Sequence, residues 1–195
     1  MRDTSQSYEC FFDHLRKYVT VTDEQCENIT PFLTKESLRK KDHLLQTGQV
    51  CHAQYFITKG CLRYYFIKDD GTEQILQFGI ENWWMTDYVS FDRQTPSLFA
   101  IQALEDTEMI KVERDAFEKM LVTVPSMERY FRIILQKAYA ASQLRIHYVY
   151  NLSGEERYHQ FNSMFPDFVQ RIPQYMLASY LGFTPEFLSR VRGKR

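Results

Sequence analysis

The run "AQYFITKGCLRYYFIKDDGTEQILQF", residues 53–78, sets three short apolar stretches around two turn signals. Gly60 divides the first pair of stretches and Asp70-Gly71 the second. Aromatic and β-branched residues suit a pleated surface, and glycine supplies the positive φ that a tight turn needs. The pattern predicts three strands, the last two joined by a two-residue hairpin at Asp70-Gly71. "HLLQTG" upstream, ending on Gly48, and "LFAIQALE" and "EMIKVE" downstream repeat the same grammar. Strands packed this closely leave no room for crossover helices, so an antiparallel roll or barrel is expected.

Helical signals flank this block. Phe11, Phe12, Leu15 and Tyr18 recur at helical spacing over residues 5–18, and Thr22-x-x-Gln25 is a capping-box pattern that stops near Pro31. "KVERDAFEKMLVTV" reads as a short helix, after which Pro125 can open a long one reaching about Tyr150. Within it Met127, Phe131, Ile134, Ala138, Ala141, Arg145, Tyr148 and Leu152 follow the 4-3-4-3 spacing of a coiled-coil seam. A second copy of the chain is the partner this seam implies. Ser153-x-x-Glu156 then starts another helix with an apolar face of Tyr158, Phe161 and Phe165, ended by Pro166.

Composition narrows the class. A chain of 195 residues with 44% hydrophobic and 15% aromatic content can bury a full core. The start "MRDTSQSYEC" is unlike a secretory leader and no apolar run approaches membrane-spanning length, so a cytoplasmic protein with no membrane partner is expected. The cysteines (Cys10, Cys26, Cys51, Cys61) are too widely spaced for a metal clip and are expected to be free thiols. The net charge of −1 is unevenly distributed: residues 151–195 hold six Lys/Arg against four Asp/Glu, and four of those cations lie in the last six residues.

That basic end, "RIPQYMLASYLGFTPEFLSRVRGKR", reads as two helices around a tight turn. Pro173 can start the first, whose inner face is Met176, Leu177, Tyr180 and Leu181. Gly182 stops it, Phe183 anchors the turn, and Thr184 and Pro185 suit the N-cap and first position of the second helix. Phe187, Leu188 and Val191 then face inward, leaving Glu186, Ser189, Arg190 and Lys194 outward. Such side chains can bond base edges in a major groove: Arg with guanine, Glu with cytosine. Arg192, Lys194 and Arg195 are candidate phosphate contacts.

"LASYLGFTPEFLSRVR" resembles the helix-turn-helix of the Crp/Fnr family of transcriptional regulators. "LLQTGQVCHAQYFITKGCLRYYFIKDDGTEQILQF", with Gly48, Gly60 and Gly71, is similar to that family's cyclic-nucleotide-binding β-roll. The resemblance implies an α+β chain in three parts. An N-terminal antiparallel β-roll of jelly-roll type with flanking helices covers residues 1–124, a long dimerisation helix covers 125–150, and an all-α helix-turn-helix domain covers 151–195. It implies double-stranded DNA as partner, with RNA polymerase as a further one, and places the Glu-x-x-Ser-Arg reading pattern on Glu186, Ser189 and Arg190. Pro185 stands where some relatives carry a polar residue, and the β-hairpin wing of longer relatives is expected to be missing.

The effector pocket departs from the pattern. Where cyclic-nucleotide binders of the family carry a Gly-Glu turn and then an Arg-Ser/Thr-Ala run, this chain has "WWMTDYVSFDRQTPSLFA". Thr86 and Asp87 stand for the Gly-Glu pair, and the Arg position falls at Pro96 or Ser97, with Arg93 the nearest cation. Trp84 is a further pocket candidate. Without a cation, a buried cyclic phosphate keeps an uncompensated charge, so no tight cAMP binding and no cofactor are expected, with another small-molecule effector left open. Fnr-type oxygen sensing is disfavoured for lack of clustered N-terminal cysteines. Two other classes stay in play. A cupin-type metalloenzyme would need a His-x-His pair that the five histidines do not supply. A regulatory module could also bind proteins and never touch DNA. No nucleophile–base pair is evident, so no enzyme is expected.

Overall fold

The computed structural model describes residues 8–193. Two short helices, α1 (Glu9–Arg16) and α2 (Asp23–Ile29), lead through a 3₁₀ turn at Thr30–Phe32 into the strands. These are β1 (Thr34–Leu38), β2 (His43–Leu45), β3 (Ala53–Lys59), β4 (Leu62–Ile67), β5 (Glu73–Gly79), β6 (Trp84–Met85), β7 (Ala100–Ala103) and β8 (Thr107–Glu113). A helix absent from the sequence reading, α3 (Tyr88–Arg93), interrupts them. Then come α4 (Arg114–Thr123), α5 (Ser126–Asn151), α6 (Gly154–Met164), α7 (Pro166–Arg171), α8 (Gln174–Leu181) and α9 (Pro185–Gly193).

The strands form two antiparallel four-stranded sheets, ordered β1-β8-β3-β6 and β2-β7-β4-β5, which face each other as a roll. Leu45, Ile57, Leu62, Met85, Phe91, Ile101 and Met109 fill its interior. Gly48, Gly60 and Gly71 all have positive φ. At Gly60 a side chain has no place, since a Cβ would fall 2.7 Å from Thr107 Cα. The β4–β5 connection differs from the expected two-residue turn. Lys68 and Thr72 close it, with Gly71 N–H donating to Lys68 O at 2.9 Å and Asp70 Oδ1 accepting from Thr72 N and Oγ1. The Asp70 side chain stabilises a three-residue loop that ends on the left-handed Gly71.

The capping boxes at Thr22/Gln25 and Ser153/Glu156 both form. The N-terminal helices bury Phe11, Phe12 and Leu15 against Phe56, Trp84, Tyr130 and Phe131, an aromatic cluster outside the roll.

The seam expected along α5 is partly taken up by contacts within the chain. Met127 and Phe131 are buried in that aromatic cluster. Arg145 turns onto its own chain, donating to Leu76 O of β5 and, at 3.1 Å, to Tyr180 O of α8. Among the exposed apolar residues of α5, which also include Leu144 and Tyr150, Leu135, Tyr139, Ile146 and Val149 line up with Ser142 between them. They keep the 4-3-4-3 spacing on a neighbouring face. Both stripes satisfy the same periodicity; intramolecular packing selects which one is covered.

Candidate nucleic-acid interface

The helix-turn-helix forms as its local residues require. Gly182, with φ +82°, ends α8, and Phe183 N–H returns to Ala178 O at 3.0 Å. Thr184 Oγ1 accepts from Phe187 N–H at 3.3 Å, capping α9. Met176, Leu177, Ala178, Leu181, Leu188 and Val191 are buried, while Tyr180, Phe183 and Phe187 are half-buried at the rim. Thr184, Glu186, Ser189, Arg190 and Arg192 lie on the exposed side of α9. Lys194 and Arg195 lie outside the described residues. Glu186 carries its charge firmly: its own backbone N–H and the Thr184 hydroxyl hold the carboxyl below the ordinary glutamate range. An anionic acceptor and the Arg190 donor thus share one exposed helix face, and Arg190 rests 5.7 Å above the Phe187 ring.

This helical unit does not stand apart from the roll. Phe161, Phe168, Leu177 and Leu181 join Tyr65, Ile75 and Phe78 of β4 and β5 in one buried cluster. Ser179 caps the edge of β5, accepting from Ile75 N–H at 3.0 Å and donating to Glu73 O at 3.0 Å. Arg171 on α7 bridges Glu81 at 2.6 Å and Glu105 at 2.5 Å on the roll. Those carboxylates raise the Arg171 pKa, and Arg171 draws Glu81 down to about 2. Neither this docking nor helices α3 and α7 was read from the sequence. The alternation Cys61, Tyr65 against Leu62, Tyr64 was the available signal, since β4 is apolar on both faces and so has both covered.

Of the pocket candidates, Asp87 and Ser97 come together, while Thr86, next to Asp87 in the chain, bonds to Ala53 instead. Asp87 Oδ1 accepts from Val89 N–H at 3.1 Å and Ser90 N–H at 3.3 Å as the N-cap of α3, and Oδ2 accepts from Ser97 Oγ at 2.5 Å. Thr86 Oγ1 donates to Ala53 O at 3.0 Å. Burial, and then the Asp87 charge, raise the nearby Tyr64 phenol. Trp84 and Arg93 are placed elsewhere. Trp84 points into the outer aromatic cluster and donates to Tyr130 Oη at 2.8 Å, because the buried indole N–H needs a partner. Arg93 is exposed in the last turn of α3. A cleft of about 420 Å³ beside Cys51, Tyr55 and Glu113 includes none of these pocket candidates. Among the described residues no three His, Cys, Asp or Glu side chains gather as a metal-holding group, and Cys26, Cys51 and Cys61 are buried free thiols. No helix of the described residues is long and apolar enough to cross a membrane.

A β-roll continued by a long helix into a helix-turn-helix with an exposed polar reading face defines a DNA-binding regulator. Residues 35–123 match the family model of the cyclic nucleotide-binding domain. The chain is similar to the anaerobic regulatory protein of Pasteurella multocida, 25% identical over 95% of this chain and 72% of that protein. It is also similar to the fumarate and nitrate reduction regulatory protein of Yersinia pestis, 27% identical over 88% of this chain and 71% of that protein. The global regulator CLP of Xanthomonas campestris shares the fold with a TM-score of 0.73 at 13% identity, covering 89% of this chain and 91% of that one. Residues 35–123 thus carry a cyclic nucleotide-binding domain, and the chain as a whole is similar to bacterial regulatory proteins of the Fnr type.

Proposed function

We propose that the chain works as a homodimer in which each copy lays α9 into one major groove of a near-palindromic site. The observation that carries this reading is the exposed face of α9. Glu186, Ser189 and Arg190 are solvent-facing there, over a helix whose opposite side is buried through Leu188 and Val191. The second copy is assigned to the stripe Leu135, Tyr139, Ser142, Ile146 and Val149 of α5. Its coiled-coil spacing is self-complementary, and the exposed Ala138 and Ser142 allow close helix approach. RNA polymerase is the further partner such a regulator would address.

The roll is read as taking no cyclic nucleotide. Supporting this, the Asp87 carboxylate is spent on α3 and Ser97, and Arg93 points to solvent. Calorimetric titration with cAMP, cGMP and c-di-GMP, the last being what CLP responds to, is expected to give no heat of binding; micromolar binding of any would overturn it.

Selection of bound genomic fragments followed by sequencing tests the DNA reading. A recovered two-fold-symmetric site with half-sites one helical turn apart is the expected result. Arg190→Ala should weaken binding to that site by about 1–3 kcal/mol and relax preference at one base pair per half-site. A salt-independent or sequence-independent shift would sink the proposal.

A further inference from the structure

The Arg157 side chain, in the first turns of α6 beside the reading helix, has no hydrogen-bond or ion-pair partner among the described residues. Its Nε is buried and unbonded. Among the described residues the rest of its guanidinium has no ion pair or hydrogen bond, only the face of Phe183, 5.2 Å away. The Phe183 and Phe187 rings lie 5.1 Å apart, tilted by 53°, and Arg190 lies over the Phe187 ring at 5.7 Å. Each ring of this pair therefore carries a guanidinium, Arg157 on Phe183 at the turn and Arg190 on Phe187 at the reading face. A Cβ added at Gly182 would stand 3.4 Å from Arg157 Nη1, which puts the charge alongside the turn that launches α9. Gly154 fixes the same juxtaposition, since a Cβ there would meet Phe187 Cε1 at 2.6 Å. The acids nearest in sequence are otherwise engaged: Glu156 accepts from Ser153 N–H at 2.8 Å, and Glu155 lies 4.0 Å from His159.

A guanidinium with one nitrogen desolvated and none bonded costs stability unless an anion completes it. A planar donor fork matches phosphate oxygens, and contacts of this kind position a protein on the duplex without reading its sequence. We propose that Arg157 binds a DNA backbone phosphate flanking the base pairs addressed by Arg190, so that the interface begins at α6. The inference rests on the DNA-binding reading of α9.

The test is a methylphosphonate scan of the selected operator, each phosphate neutralised in turn, with wild type, Arg157→Gln and Arg157→Lys. Neutralising one flanking phosphate is expected to weaken wild type several-fold and to leave Arg157→Gln unaffected, while base preference stays unchanged. The slope of log K against log salt should fall by about one per half-site in Arg157→Gln and return in Arg157→Lys. If Arg157→Gln responds at every position as wild type does, with an unchanged salt slope, the proposal is overturned. Should Arg157→Gln not fold, Arg157→Lys decides in the same scan: a penalty altered at that one phosphate supports the contact, and an unaltered profile overturns it. Wild type that shows no salt-dependent operator binding removes the DNA reading itself, an outcome distinct from failure of Arg157 alone.

Discussion

Tyr130 Oη accepts from the Trp84 indole at 2.8 Å, so its single proton is left for His14 Nδ1, also at 2.8 Å. With Nδ1 unprotonated, His14 accepts that hydrogen bond as the neutral imidazole. Burial, reinforced by Lys17 and Lys137, draws its pKa from 6.5 down to about 4. Between these values the unfolded chain binds a proton that the folded chain refuses. Stability is therefore full above pH 6.5 and falls as the pH drops toward 4. The melting temperature of wild type should decline over that window, more steeply than that of His14→Phe; parallel curves would contradict the assignment. Tyr130→Phe strands the Trp84 N–H and should cost about 1–3 kcal/mol in denaturant unfolding. The helical spacing of Phe11, Phe12 and Leu15 was readable in the sequence, but the polar triad was not. Its members lie on α1, β6 and α5, and no local pattern joins them.

On the scale of elements, α5 shows how periodicity underdetermines an interface. Its start near Pro125, its length and its apolar content were readable, but two adjacent stripes fit the coiled-coil rule. Burial of Met127 and Phe131 and the bonds of Arg145 engage one of them within the chain at three of its positions. Ile146→Glu should dissociate the dimer, seen as a halved mass by sedimentation, whereas Ala141→Glu on the neighbouring stripe should leave it intact. The reverse result would return the interface to the stripe first read. In α6, Gly154→Ala pushes directly on the Phe187 ring and should cost about 1–3 kcal/mol of stability, together with operator affinity.

Across the whole molecule, the roll and the helix-turn-helix share one apolar cluster through Tyr65, Ile75 and Phe78. They should melt together, with Trp fluorescence and far-ultraviolet helicity giving coincident transitions; two separate steps would contradict a shared core. Phe78→Ala removes a ring packed on Phe168 and Tyr180 and should cost about 3–5 kcal/mol. Arg171→Ala should cost only about 1 kcal/mol, because its ion pairs are partly solvated. In a chain of this size that corresponds to roughly 2–4 °C in melting temperature.

Local chemistry determined the elements. Gly48, Gly60, Gly71 and Gly182 mark turns because only glycine takes positive φ cheaply, and Thr22, Ser153 and Thr184 start helices because their oxygens satisfy free N–H groups. The outward positions of Glu186, Ser189 and Arg190 follow from the same spacing that buries Leu188 and Val191. Tertiary packing alone decided which α5 residues are covered within the chain, that Asp87 caps a helix, and that Arg157 has no ion-pair partner among the described residues beside the reading face. Those outcomes depend on contacts between residues far apart in the chain, such as Arg145 with Leu76 and Trp84 with Tyr130, whose pairing no local periodicity encodes.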